Sequence, residues 1–209
     1  MVSNEEISVN KRNGRGKESL QIDKIHAMVG FATDGITGVS ASHVEMNSGI
    51  QLFDGISTAD IQQILIKSAN DLITLENPNY QYVAARLLLF SLRKQLFHRL
   101  WDHPKLIDHI KKLIDMGLYD KDILVNYDES EIDRMNMWID HERDYNFTYA
   151  GLRQVMDKYL VQDRSTGEIF ETPQFMYMMI SATLFAQYPK DKRMSYVKKY
   201  YDAVSKFKI

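Results

Sequence analysis

The chain has 209 residues, 44% of them hydrophobic and 26% charged, which suits a folded protein of one or two domains with a real core rather than a disordered tail. Its formal net charge is −2, so it lacks the overall basic excess of a dedicated nucleic-acid binder, and any affinity for anions has to be local. With no cysteine it can hold no disulfide framework, thiolate metal site, thiol nucleophile or dithiol redox pair.

The N-terminus is polar and acidic before it turns basic, and no run approaches a membrane span, so a cytoplasmic location is expected. Ile7 and Val9 alternate as a short strand, Asn13-Gly14 is a strong two-residue turn signal, and Leu20 and Ile22 resume the alternation on a return strand. Lys11, Arg12, Arg15 and Lys17 crowd the tip of this hairpin beside Gly14 and Gly16, where backbone N–H groups and positive charge can both approach an anion. Asp23 is placed to cap a helix whose first turn carries Lys24 and His26, and a hairpin feeding a helix N-terminus can seat a phosphate. The residues are equally those of a solvated basic turn. Neither a P-loop nor a dinucleotide fingerprint is present, because Lys11 and Ser19 stand where these would need glycine and Glu18 where the P-loop needs Ser or Thr.

Helices are expected over Asp23–Thr33, from Ser40 to near Phe53, and from the cap-like Ser57–Asp60, with Ile61, Ile64, Leu65, Leu72 and Ile73 as a buried stripe. Pro78 breaks that helix, and a fourth, about Tyr80 to Leu100, is apolar nearly all round at Leu87–Phe90. Trp101–Lys105, with Pro104, reads as a joint between residues 1–101 and 102–209. Beyond it, helices are expected after Lys105, after Asp128 and over Phe147–Tyr159. Tyr159–Gln162 and Glu168–Glu171 read as a second hairpin. Pro173 suits the first position of an apolar helix, and an amphipathic helix covers Asp191 to Val204. Val204–Ile209 begins a strand-like alternation.

The residues three before each histidine are Asp23, Ser40, Gln95, Leu100, Leu106 and Trp138, so the Glu-x-x-His pairs of a di-iron carboxylate bundle are missing. Met176, Met178 and Met179 lie at helical spacing among apolar neighbours and read as core. His141, beside Glu142, Arg143 and Asp144, reads as a charged structural cluster. No catalytic or metal-binding side chain is assigned.

The pattern V-x-K-R-x-G followed by a Glu and by x-x-x-I-D-K-I resembles the start of the ATP-cone domain of class I ribonucleotide reductase large (alpha) subunits. The resemblance continues in order through Gly55–Gln62, Pro78–Lys94, Ile139–Gly151, Lys158–Phe175 and Tyr200–Ile209. It implies a mainly α (α+β) fold: a cone of one β-hairpin and four helices over residues 1–101, then a helical segment leading into an α/β barrel. It also implies that the chain is the leading portion of a larger subunit.

On that resemblance ATP or dATP, accompanied by Mg, is the allosteric ligand. Lys11, Arg12, Thr58 and Lys94 would meet the phosphates, Glu18 and Gln21 the base and Lys24 the ribose region, with Val9, Ile25 and Gln62 completing the site. Asp60 corresponds to a position that transmits the signal, against the plain alternative of a helix-start charge. Gln21 replaces a common Asn, and Gln62 and Ser91 stand where dATP-inhibited members often carry His. The implied partners are the cysteine-bearing remainder of the alpha subunit, a radical-generating di-iron beta subunit and a second alpha subunit, with no membrane or nucleic acid. The competing readings are a stand-alone nucleotide-sensing regulator and a helical scaffold with a degenerate cone.

Overall fold

A hairpin this short has no core of its own, and the chain supplies one by adding a strand from far along the sequence. In the computed structural model, which describes residues 8–11, 16–49, 54–98 and 101–209, β1 (Ser8–Asn10) pairs antiparallel with β2 (Lys17–Ser19), setting Val9 opposite Glu18. The added strand, β3 (Ile56–Ser57), pairs parallel to β1 with Asn10 beside Ser57, giving the order β2-β1-β3. Periodicity could not reveal β3, because two residues are too few to alternate. The ladder is locked by side chains: Ser8 donates its N–H and hydroxyl to Asp54 Oδ1 at 2.9 and 2.5 Å, and Asn10 Nδ2 donates to the Gly55 carbonyl at 2.6 Å. The Asp54-Gly55 turn needs a residue free to adopt φ of +86°, which glycine provides.

Helix α1 spans Ile22–Thr33. Its N-cap is Gln21, without a side-chain cap bond, so the expected capping by Asp23 is corrected: β2 ends at Ser19, Ile22 opens the helix rather than extending the strand, and Asp23 lies inside the first turn. There its carboxylate still faces the positive end of the helix dipole. Helix α2 (Ala41–Ser48) stops at Gly49, which takes the left-handed conformation of a C-cap, short of the expected close near Phe53; residues 50–53 fall outside the described residues. Helix α3 (Thr58–Asp71) starts on Ser57, whose hydroxyl accepts the Asp60 N–H at 3.0 Å. Ile61, Leu65, Ile66 and Ala69 form its buried stripe, while Ile73 lies beyond the helix and is exposed. Helix α4 (Tyr80–Phe97) is buried from Leu87 to Arg93. Gln62 Nε2 donates to the Leu87 carbonyl at 2.9 Å, and Arg86 donates to the Asp34 carbonyl at 2.6 Å, where α1 ends.

Residues up to Ser91 form one compact unit with Phe147–Leu152, and Leu92–Asn146 with Arg153–Ile209 form a second. The remaining helices are α5 (Leu106–Asp115), α6 (Asp122–Asn126), α7 (Glu129–Trp138), α8 (Tyr149–Lys158), α9 (Pro173–Phe185) and α10 (Lys190–Ser205), with a 3-10 helix at His141–Asn146. The second unit's core holds Leu106, Ile110, Ile132, Met135, Phe175, Met178, Ala182, Val197 and Tyr201. Asp128 and Glu131 form a reciprocal capping box at the start of α7, and Pro173 takes the first turn of α9 as its fixed φ favours.

The second hairpin is present but shorter than expected, and the expected C-terminal strand is corrected. The segments 159–162 and 168–171 share a single bridge, Gln162 with Ile169, because the carboxylate of Glu171 takes the Val161 N–H at 2.8 Å in place of a backbone partner. Val204–Ile209 is not a strand: α10 runs to Ser205, Phe207 turns at φ of +53°, and the Lys208 N–H returns to the Ala203 carbonyl at 2.9 Å.

Three histidines around Phe175 give the second unit a pH dependence. His103 stacks on His141 with centroids 3.7 Å apart, and His109 stacks on Phe175 at 4.3 Å. Burial pushes His103 and His109 down to about 4, and burial together with the field of His103 and Arg93 pushes His141 down to about 2. The folded state holds them neutral while the unfolded chain protonates them below about 6.5, so stability falls as pH falls from there toward 4. Asp144, raised by burial to about 6, and Glu171, also raised by burial, act in the opposite sense. The histidines outnumber these carboxyls and span more pH units, and buried His109 alone loses about 2 kcal/mol between pH 7 and pH 5. The thermal midpoint, followed by circular dichroism, is therefore expected to drop from pH 7 to pH 5; a flat profile would contradict the neutral stack.

Candidate functional site

The site is built on the hairpin. Lys11 follows the last residue of β1, and its N–H closes onto the Gly16 carbonyl at 2.9 Å. Arg12 belongs to residues 12–15, outside the described residues. Because Glu18 lies opposite Val9, its side chain shares a face with that of Lys11, and the two pair at 2.9 Å. The bond from Lys11 holds the Glu18 carboxyl below its ordinary range, against a small opposing effect of burial, and the field of Lys24 adds to it. Lys24 is the third residue of α1, so the chain brings Lys11, Glu18 and Lys24 together from three consecutive elements.

Thr58 arrives by a different route. Parallel pairing sets Asn10 beside Ser57, and the residues that follow, Lys11 and Thr58, leave the ladder at the same end of the sheet. Thr58 is the first residue of α3, where backbone N–H groups lack intrahelical acceptors and the dipole favours an anion. Asp60, two residues on, accepts the Ser57 hydroxyl at 2.7 Å and fixes this helix start.

The other expected residues are placed less uniformly. Val9 is buried, Ile25 is half-buried, and Gln21 is exposed at the N-cap of α1. Gln62 is buried, with its amide nitrogen engaged by Leu87, and Ser91 is also buried. Lys94 stands in the last turn of α4 and is counted with the second unit. Sequence reasoning missed Ser8, Asn10 and Asp54, which tie β1 to the turn before α3. The Asp54-Gly55 pair was visible as a turn, but its partner 46 residues earlier was not. Bonds from Ser8, with the field of Lys17, hold Asp54 below its usual carboxylate range against a smaller effect of burial. Among the described residues no group of three or more His, Asp or Glu side chains could hold a metal ion, and no helix is long and apolar enough to cross a membrane.

A small sheet presenting lysines around one carboxylate, with a helix start beside it, is the frame of an anion-binding module, and comparison with known families gives it a class. Residues 7–95 match the ATP cone domain, and residues 145–209 match the ribonucleotide reductase all-alpha domain. The chain is 48% identical over 206 residues to the ribonucleoside-diphosphate reductase subunit alpha of Haemophilus influenzae, covering 99% of this chain and 27% of that protein. It is 48% identical over the same length to ribonucleoside-diphosphate reductase 1 subunit alpha of Escherichia coli, again 27% of that protein. Its identity to the alpha subunit of Enterobacteria phage T4 is 42% over 199 residues, 95% of this chain and 26% of the relative. The chain belongs to the ribonucleoside-diphosphate reductase alpha-subunit family and corresponds to its N-terminal region, spanning about a quarter of the length of these relatives.

Proposed function

We propose that this chain is the nucleotide-sensing part of a ribonucleoside-diphosphate reductase, with ATP or dATP, carried with Mg, as the allosteric ligand. The observation that supports this most is the pairing of Lys11 with Glu18 on the hairpin, within the field of Lys24 from the first turn of α1. The triphosphate takes Lys11, Arg12, Thr58 and Lys94; Glu18 and Gln21 receive the base, Lys24 the ribose region, and Val9, Ile25 and Gln62 complete the site. Lysines serve as point charges for phosphates, and an ionised Glu18 accepts from the exocyclic amine of adenine. The ligand has to draw Lys11 away from Glu18, exchanging an exposed ion pair of small worth for a polyphosphate contact. Asp60, bonded to the Ser57 hydroxyl, carries the change into α3.

Reduction of a ribonucleotide by thiyl and dithiol chemistry requires cysteine, and this polypeptide has none. Catalysis is therefore assigned to the cysteine-bearing remainder of the alpha subunit, working as an alpha dimer with a radical-generating beta subunit in the cytoplasm. The nucleotide acts by linkage, shifting the balance between assemblies only as far as it binds them unequally. Gln62, engaged by the Leu87 carbonyl, favours a site that accepts dATP without the response of relatives with His there.

Isothermal titration calorimetry tests the reading. Saturable heat with ATP and with dATP is expected; no heat and no thermal shift at millimolar nucleotide would favour a scaffold with an empty cone.

A further inference from the structure

Strand β1 carries two sets of side chains. Lys11 shares one side with Glu18, opposite Val9, and is assigned to the nucleotide, whereas Ser8 and Asn10 alternate to the other side. That second set is tied to the turn before α3 by four hydrogen bonds. Ser8 gives its N–H and its hydroxyl to Asp54 Oδ1 at 2.9 and 2.5 Å, and its carbonyl takes the Gly55 N–H at 2.9 Å. Asn10 Nδ2 reaches the Gly55 carbonyl at 2.6 Å.

These bonds do what the ladder cannot. With two residues, β3 is too short to fix its register against β1 by backbone pairing alone. A slip of one residue would move Thr58 relative to Lys11 by about 3.3 Å, more than hydrogen bonds to a shared phosphate tolerate. The side chains of Ser8 and Asn10 oppose that slip, because each engages one particular residue of the turn.

Asp54 also carries the wrong charge for this neighbourhood. The field of Lys17 reaches it, and Lys17 lies opposite Asn10 at the end of the sheet where Lys11 and Thr58 leave the ladder. A carboxylate there opposes a polyphosphate by its charge, so its place is explained by the bonds it accepts.

We propose that Asp54 is a positioning residue for the phosphate end of the nucleotide site, acting with Ser8 and Asn10 to hold Lys11 and Thr58 at the spacing a polyphosphate bridges. This role rests on the nucleotide reading. It makes Asp54 favour ATP in spite of its charge. The base, received by Glu18 on β2 and Gln21 at the start of α1, does not depend on the lock.

Asp54→Ala and Asp54→Asn separate bonding from charge, since the asparagine amide oxygen still accepts both Ser8 bonds while the charge is gone. By calorimetry, Asp54→Ala is expected to weaken ATP about threefold or more and to leave adenosine unchanged, whereas Asp54→Asn keeps at least wild-type affinity for ATP. A residue acting by charge alone would strengthen ATP in both variants, and one that only supports the fold would weaken ATP and adenosine together. Either result overturns the role, as does an alanine variant with wild-type ATP affinity or an asparagine variant as weak as the alanine one. A second arm uses no nucleotide. The Gly55 amide, followed by NMR hydrogen exchange, is expected to exchange about threefold or more faster in Asp54→Ala than in wild type, and at the wild-type rate in Asp54→Asn. Wild type that gives no heat with ATP would remove the nucleotide reading, whereas equal Gly55 exchange in all three proteins would remove the lock.

Discussion

Arg93→Met is expected to cost about 3–5 kcal/mol, the penalty for removing one partner of a buried ion pair, and to lower the thermal midpoint by about 10 °C for a chain of this size. Arg93 is 1% exposed. Its guanidinium donates to Tyr145 Oη at 3.0 Å, to the His141 carbonyl at 2.7 Å and to Asp144 Oδ2 at 3.4 Å. Asp144 also accepts from Gln174 Nε2 at 2.8 Å, and Gln174 in turn accepts the Tyr201 hydroxyl at 2.7 Å. Methionine fills much of the volume but leaves Asp144 buried without its counter-charge. Burial already raises Asp144 to about 6, with Arg93 the largest force opposing that rise. Without Arg93 the carboxyl stays protonated to higher pH, and its contribution to stability is lost as pH rises through the new folded value. The deficit of Arg93→Met relative to wild type is therefore expected to be smaller at pH 5 than at pH 8, measured by urea unfolding at both. A deficit independent of pH would contradict the role given to Asp144.

Glu131→Ala is expected to be nearly as severe. Arg193 donates Nε to Glu131 Oε1 at 3.1 Å and Nη2 to Oε2 at 2.5 Å, both side chains are buried, and the guanidinium lies 4.4 Å over the Tyr127 ring. The same carboxylate accepts the Asp128 N–H at 3.1 Å, closing the capping box of α7. Alanine removes the cap and strands Arg193, at a cost of about 3–5 kcal/mol. Changing both partners, Glu131→Leu with Arg193→Met, leaves no unpaired charge and is expected to recover most of that loss, apart from about 1 kcal/mol for the cap. Chemical denaturation of the two singles and the double measures this. A double variant as unstable as the sum of the singles would show that the pair is not coupled as described.

The sequence was readable where local chemistry decides structure. The Ser57–Asp60 pattern announced the start of α3 and Pro173 the first turn of α9, while the Asn13-Gly14 turn signal lies outside the described residues. It was opaque where a distant partner decides. Ile56 and Ser57 are a strand only because β1 lies beside them. The second hairpin is held to one antiparallel bridge, with Glu171 buried against Tyr119 and serving the Val161 N–H itself. Val204–Ile209 alternates in composition, but α10 already carries Val204 and Ser205, and its C-terminal turn consumes the rest. At the site, the charges of Lys11, Glu18 and Lys24 were visible one by one. Their meeting at one carboxylate follows from the register of β1 with β2, which no spacing rule supplies.

The proposed nucleotide is held through its phosphates by Lys11 and through its base by Glu18. The most direct test of this is calorimetric binding of ATP and of adenosine to the wild type, to Lys11→Ala and to Glu18→Ala. Loss of a charge-assisted contact is worth about 1.5–3 kcal/mol, about tenfold or more in affinity. The expected result is that Lys11→Ala weakens ATP by that factor and leaves adenosine unchanged, whereas Glu18→Ala weakens both. ATP binding to Lys11→Ala with wild-type affinity would contradict the account.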